Sequence, residues 1–169
     1  MDLGLLLLRL LLGGLMIGHG AQKLFGTFGG SGLEGTGRFF ERIGFRPGRP
    51  MAFIAGITQF VGGLFIVPGV LTPLAAAAVL GTLVVAATVH GGKGLWAQKG
   101  GYELAFVYSG LAAALALTGP GSWSVDRLLG LDSLPVWFGL AASALGLASG
   151  ALVALRASAV RRAEVTAVR

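Results

Sequence analysis

The sequence has no cysteine, no asparagine, only three lysines and two histidines, and charged residues make up just 12% of its 169 positions. Without cysteine there are no disulfides, no thiol catalysis, no thiolate-bound iron–sulfur cluster and no cysteine-type zinc site. Any redox chemistry therefore needs a bound cofactor or a partner. The scarcity of charge is equally restrictive. With 54% hydrophobic residues, 30 glycines besides, and a mean hydropathy of +0.81, the chain cannot cover a 17.2 kDa surface with polar groups. It is read as an all-α integral membrane protein, of a size for one small helical bundle. The few lysines and missing asparagines, beside abundant Ala, Gly, Leu and Arg, point to a GC-rich genome.

The net charge of +6 and pI near 10.8 do not make it a nucleic-acid binder, because the basic residues punctuate apolar spans instead of covering a polar face. Nucleic acid is not an expected partner. The start, Met1-Asp2, lacks a basic n-region and Arg9 interrupts the first apolar run, so no cleaved signal peptide is expected.

Five apolar segments cover residues 3–21, 51–71, 73–89, 103–118 and 134–155. At about 1.5 Å per residue each reaches or approaches the ~30 Å hydrocarbon layer. Thr72-Pro73 supplies a cap and first position for the third, Ser133 and Pro135 open the fifth, and Gly119-Pro120-Gly121 stops the fourth. If the spans alternate, eleven basic residues fall on one side: Lys23, Arg38, Arg42, Arg46, Arg49, Lys93, Lys99, Arg156, Arg161, Arg162 and Arg169. Arg127 alone falls on the other. The positive-inside rule then predicts the N-terminus outside and the C-terminus in the cytoplasm. Trp96 and Tyr102 on the inner side, and Trp123 and Trp137 on the outer, stand where interfacial aromatics belong.

Within the loop 22–50, residues 36–45 place Phe39, Phe40 and Ile43 on one helical face and Arg38, Glu41 and Arg42 on another, which predicts a short helix lying on the inner surface. Gly30-x-Gly32-x-x-Gly35 matches a dinucleotide fingerprint only as a string, since it follows a membrane span and belongs to no βαβ unit. Gly14-x-x-x-Gly18 and Gly146-x-x-x-Gly150 are stripes that let helices approach closely, with self-association as the sharper reading.

Polar groups inside the spans carry the information, since a charge near a helix centre costs roughly 2.5–3.5 kcal/mol on insertion scales. These groups are Arg9, His19, Gln22, Lys23, Gln59, His90 and Glu103. His19, Lys23, His90 and Glu103 converge at the inner ends of three helices, and Gln59 lies deeper. Arg9, Gly13, Met16, Gly20 and Lys23 share one face of the first helix. Arg9 lies too deep to snorkel freely, and Asp126 is its favoured partner. Glu103 is either an ion-pair partner for Lys23 or His19, or a proton-transfer group. The histidines admit an axial haem, a hydrogen bond to the carbonyl of a quinone-like ligand, or purely structural bonds. Haem has no further support, and no metal site is expected.

Arg9, the run Gly18-His19-Gly20-Ala21-Gln22-Lys23-Leu24-Phe25-Gly26, Gly62-Gly63, His90-Gly91-Gly92, Gly101-Tyr102-Glu103 and Gly119-Pro120-Gly121-Ser122-Trp123-Ser124-Val125-Asp126 together resemble the DoxX family of small bacterial and archaeal membrane proteins. The resemblance covers about residues 3–130. It implies a four-helix transmembrane core in residues 1–130, and the apolar span and basic tail in 131–169 depart from that pattern as an additional transmembrane helix. It also implies association with membrane redox systems, since relatives include subunits of a thiosulfate:quinone oxidoreductase. The family's polar positions fall on Arg9, His19, Lys23, His90, Glu103 and Asp126. Gln59 departs from the glutamate common among relatives. The expected function is a quinone-interacting subunit of a sulfur- or thiol-linked oxidoreductase system in a prokaryotic cytoplasmic membrane. In it His19, His90 and Glu103 act on the head group, and Arg9, Lys23, Gln22, Gln59, Tyr102 and Asp126 complete the binding set. The alternatives are a non-enzymatic scaffold or assembly subunit, and a small-solute or proton pathway. Other membrane subunits and a second copy of the chain are the expected protein partners.

Overall fold

A computed structural model describes residues 2–167; Met1 and Arg169, which entered the reading of the ends, lie outside the described residues. The chain forms α1 (Asp2–Phe25), α2 (Gly32–Arg42), α3 (Gly48–Ile66), α4 (Thr72–His90), α5 (Glu103–Thr118), α6 (Val125–Leu128) and α7 (Val136–Ala167), with two 3₁₀ turns between α4 and α5 and no strand among the described residues. Four stretches are long and apolar enough to cross a membrane: Asp2–Phe25, Gly48–Ile66, Thr72–Lys93 and Val136–Glu164. The remaining expected span is the shorter apolar helix Glu103–Thr118.

Local chemistry explains most boundaries. Pro50 sits in the first turn of α3 and Pro73 at the start of α4, where an N–H has no helical acceptor. Gly119, at φ +76°, adopts the backbone conformation that ends α5 immediately before Pro120.

Helix α4 is the centre of the bundle. Ala75, Ala76, Ala77, Val79, Leu80, Gly81 and Leu83 are buried, as expected of an apolar helix packed on several sides. They meet Leu12 and Met16 of α1, Ile66 of α3, and Ala112 and Leu115 of α5 in one core. Helix α1 runs antiparallel to α3 at very short range, since a Cβ on Gly20 would stand 2.5–2.7 Å from Phe60 and one on Gly63 would strike the Gly13 carbonyl and Ile17. Gly146 and Gly150 of α7 close in the same way on Ala77 and Gly81 of α4, so that stripe is used for packing within the chain. The other expected stripe is not: Gly14 and Gly18 meet nothing within 4 Å, because the buried face of α1 is the one bearing Gly13 and Gly20.

Helix α7 is longer than the apolar pattern suggested. It continues through its basic residues to Ala167, and Ala157 packs in a second core with Phe40, Phe45 and Ala52. Gly44, at φ +89°, lies so close to the Ala157 carbonyl and Arg161 that no side chain fits, and Arg46 pairs with Glu164 at 2.6 Å. A short amphipathic helix, α2, forms where one was expected, but it runs from Gly32 to Arg42 rather than over 36–45, and this docking fixes it across one end of the bundle.

Candidate functional site

Two polar constellations occupy opposite ends of the bundle. At the end formed by the 67–71 and 119–135 connections, Arg9 and Asp126 are each 1% exposed. They do not form the ion pair expected from the sequence. Asp126 instead accepts from the backbone N–H of Leu71 at 2.7 Å, the N–H of Thr72 at 2.9 Å and the Thr72 hydroxyl at 2.7 Å, closing the N-terminus of α4. Helix N-termini hold four unpaired N–H groups and a positive dipole end, so a carboxylate supplied from elsewhere is well used there. It also holds Leu71 at φ +44°, a conformation unfavourable for leucine. Arg9 donates from Nη2 to the Trp123 carbonyl and lies against Gly69, whose missing side chain makes room for the guanidinium. Asp2 accepts from Ser122 N–H at 2.9 Å, so the 121–126 segment ties together α1, α4 and the α3–α4 turn.

At the basic end, Lys23 Nζ donates to Gln59 Oε1 at 2.7 Å and to the His19 carbonyl at 3.3 Å. Gln59 is 4% exposed. Both residues line a cavity of about 530 Å³ bounded by α2, α3, α4 and α7, with a largely apolar wall that includes Phe40, Ile54, Val85 and Val153. Thr58, Thr82, His90 and Ser149 add polar groups to the lining. An ammonium has three N–H donors, so with two engaged Lys23 keeps one for an acceptor entering the cavity. His90 Nδ1 donates to the Gly100 carbonyl at 3.0 Å, which leaves Nε2 of the neutral ring as an acceptor.

The other expected residues are spent locally. His19 Nδ1 donates to Gln22 Oε1 at 3.1 Å, Gln22 Nε2 donates to the Phe28 carbonyl at 3.1 Å, and the imidazole lies 6.1 Å from the Tyr108 ring, centre to centre. Glu103 bonds neither Lys23 nor His19. Its Oε2 accepts from Ala97 N–H at 2.8 Å and so fastens the 94–103 connection on which His90 rests. Tyr102 immediately precedes α5. The structure thus gathers Lys23, Gln59 and His90 on one cavity, His19 and Gln22 beside it, and places Arg9 and Asp126 at the far end. Thr58, Thr82, Ser149 and Tyr108 were missed from the sequence. Their signal was faint, since a hydroxyl in an apolar helix can bond its own backbone, as Thr82 does to the Val79 carbonyl.

Apolar helices around an alanine-rich central helix, with the buried charged side chains near the two ends, define a small multi-pass membrane protein. The chain belongs to the DoxX family, whose model matches residues 4–91. It is similar to the inner membrane protein YqjF of Escherichia coli (strain K12), at 33% identity over 76% of this chain and 93% of that one. It is also similar to the uncharacterized membrane protein Rv3486 of Mycobacterium tuberculosis, at 33% identity over 72% of this chain and 78% of that one. No solved structure matches it. The protein is a multi-pass protein of the inner membrane, in contact with lipid.

Proposed function

We propose that this protein is a quinone-binding component of a membrane redox system, with the cavity beside Lys23 and Gln59 as the head-group site. The observation that carries this reading is a cavity walled by apolar side chains whose polar end is a lysine held by a buried glutamine. Such a site matches a ligand with a hydrocarbon body and one or two oxygen acceptors. In this reading α5 completes a five-helix crossing, the basic end faces the cytoplasm and the N-terminus lies outside.

A bound quinone would supply two-electron chemistry coupled to two protons, and the electrons would come from a partner subunit, because no side chain here carries them. Lys23 holds a ring oxygen by charge-assisted donation. Gln59 fixes the lysine against the wall. His90 is the proton-exchanging group at the cavity edge, with its ring oriented by the Gly100 carbonyl. Gln22 and Glu103 position these groups through the backbone that they bind, and His19 through its bond to Gln22 and its carbonyl on Lys23.

The test is mass spectrometry and an absorption spectrum of the gently purified protein. Stoichiometric quinone that is lost in Lys23→Met and Gln59→Leu, with helicity kept, supports the site. A ligand-free protein, or quinone retained in both variants, overturns it. A second reading, a non-enzymatic scaffold, is favoured by the way Asp126 and Glu103 are committed to backbone N–H groups. Co-purifying subunits that survive both cavity substitutions would support it.

A further inference from the structure

A second concavity lies on a different face of α2 from the quinone cavity. It is open, has a volume of about 670 Å³ and is lined by Ser31, Gly35, Arg38, Glu41, Arg42 and Arg46. Arg38 and Arg42 stand one turn apart on the same face of an 11-residue helix. Like charges at that spacing repel and destabilise a helix. The negative end of the helix dipole accounts for a cation in the last turn, Arg42, but not for Arg38 before it or Arg46 beyond it.

Of these three, Arg46 is paired with Glu164 at 2.6 Å, and the Glu41 carboxylate in the same lining accepts from the Gly48 N–H at 3.3 Å. Arg38 and Arg42 have no ion pair among the described residues. Both line the same open space, and a guanidinium has the planar, multi-donor geometry that suits phosphate oxygens. Phe25, Phe28, Phe39 and Trp96 are exposed at the same end of the bundle. Amphipathic segments with Phe or Trp beside basic residues lie at the polar boundary of a bilayer.

We propose that Arg38 and Arg42, in the concavity that Arg46 borders, bind the phosphate group of an anionic lipid. A free phosphate ester offers the same oxygens, so the experiment separates the two sources. The full chain is reconstituted in bilayers of phosphatidylcholine alone and of phosphatidylcholine mixed with phosphatidylglycerol, and retained lipid is counted by native mass spectrometry. The expected result is enrichment of phosphatidylglycerol on the unmodified protein. That enrichment should fall by about fivefold for each guanidinium removed in Arg38→Gln/Arg42→Gln. Lys93→Gln/Lys99→Gln removes the same charge at the same end and should leave it unchanged. Arg38→Lys/Arg42→Lys, with helicity checked by circular dichroism, should give an intermediate loss. Inorganic phosphate is then titrated against the phosphatidylglycerol complex. Retention unaffected by millimolar phosphate assigns the site to lipid, and displacement assigns it to phosphate in water. Equal retention in the Arg38→Gln/Arg42→Gln protein, or equal loss in the Lys93→Gln/Lys99→Gln control, overturns the proposal.

Discussion

The Asp126 carboxylate caps a helix whose first residue, Thr72, precedes it by 54 positions, taking both the backbone N–H and the hydroxyl of that threonine. Asp126→Ala leaves three donors without their acceptor, and a loss of about 3 kcal/mol is expected. Asp126→Asn, which keeps one acceptor oxygen, should lose less. Thr72→Val combined with Asp126→Ala should cost less than the two separate losses together. Thermal unfolding in detergent measures all of these, and an unchanged midpoint in Asp126→Ala would remove the capping role.

The two glycine faces of α1 should respond differently to added volume. Gly20→Val and Gly63→Val push α1 away from α3 and should destabilise by about 1–3 kcal/mol. Gly14→Val and Gly18→Val face open space and should leave the monomer's thermal midpoint nearly unchanged. Equal effects on the two faces would contradict the packing described for α1 and α3.

Gln59 is the side-chain acceptor for Lys23 inside the bundle. Gln59→Leu should therefore cost about 1–3 kcal/mol by leaving the ammonium short of an acceptor. Gln59→Glu should be tolerated far better at neutral pH, because the carboxylate forms an ion pair in the same position. Melting curves of the three proteins at one pH decide it.

The docking of α7 on α2 depends on Gly44. Gly44→Leu should expel the last turns of α7 and raise hydrogen exchange in residues 156–164. Arg46→Gln should cost less than about 1 kcal/mol, since the Arg46–Glu164 pair is half in water. Matching exchange patterns in the two variants would show that the pair, not the close approach, holds the helix end.

How much of this was legible depended on how local the cause was. The bounds of α5, 103–118, were readable because Gly101 and the Gly119-Pro120 pair punctuate it. The extent of α7 was not, because Arg156, Arg161 and Arg162 read as a polar tail while Gly44, far away in sequence, provides their seat. The polar residues of the site stood out because hydrophobicity should have excluded them. Their pairings did not, since Lys23 meets Gln59 and Asp126 meets Thr72 only once helices are packed. A capping pattern is recognised over three or four residues, and no local rule links position 126 to position 72.

That long-range stitch has an order in time. A chain emerging from the ribosome completes α1, α3 and α4 well before residues 122–126 exist. Until then Arg9 lacks the Trp123 carbonyl, and the N-terminus of α4 lacks its carboxylate. The first three long helices must therefore wait in the bilayer with a buried cation and open N–H groups, and the short segment after α5 acts as a late clasp. A nascent chain arrested before position 120 should stay loosely assembled, and one extended past 126 should lock.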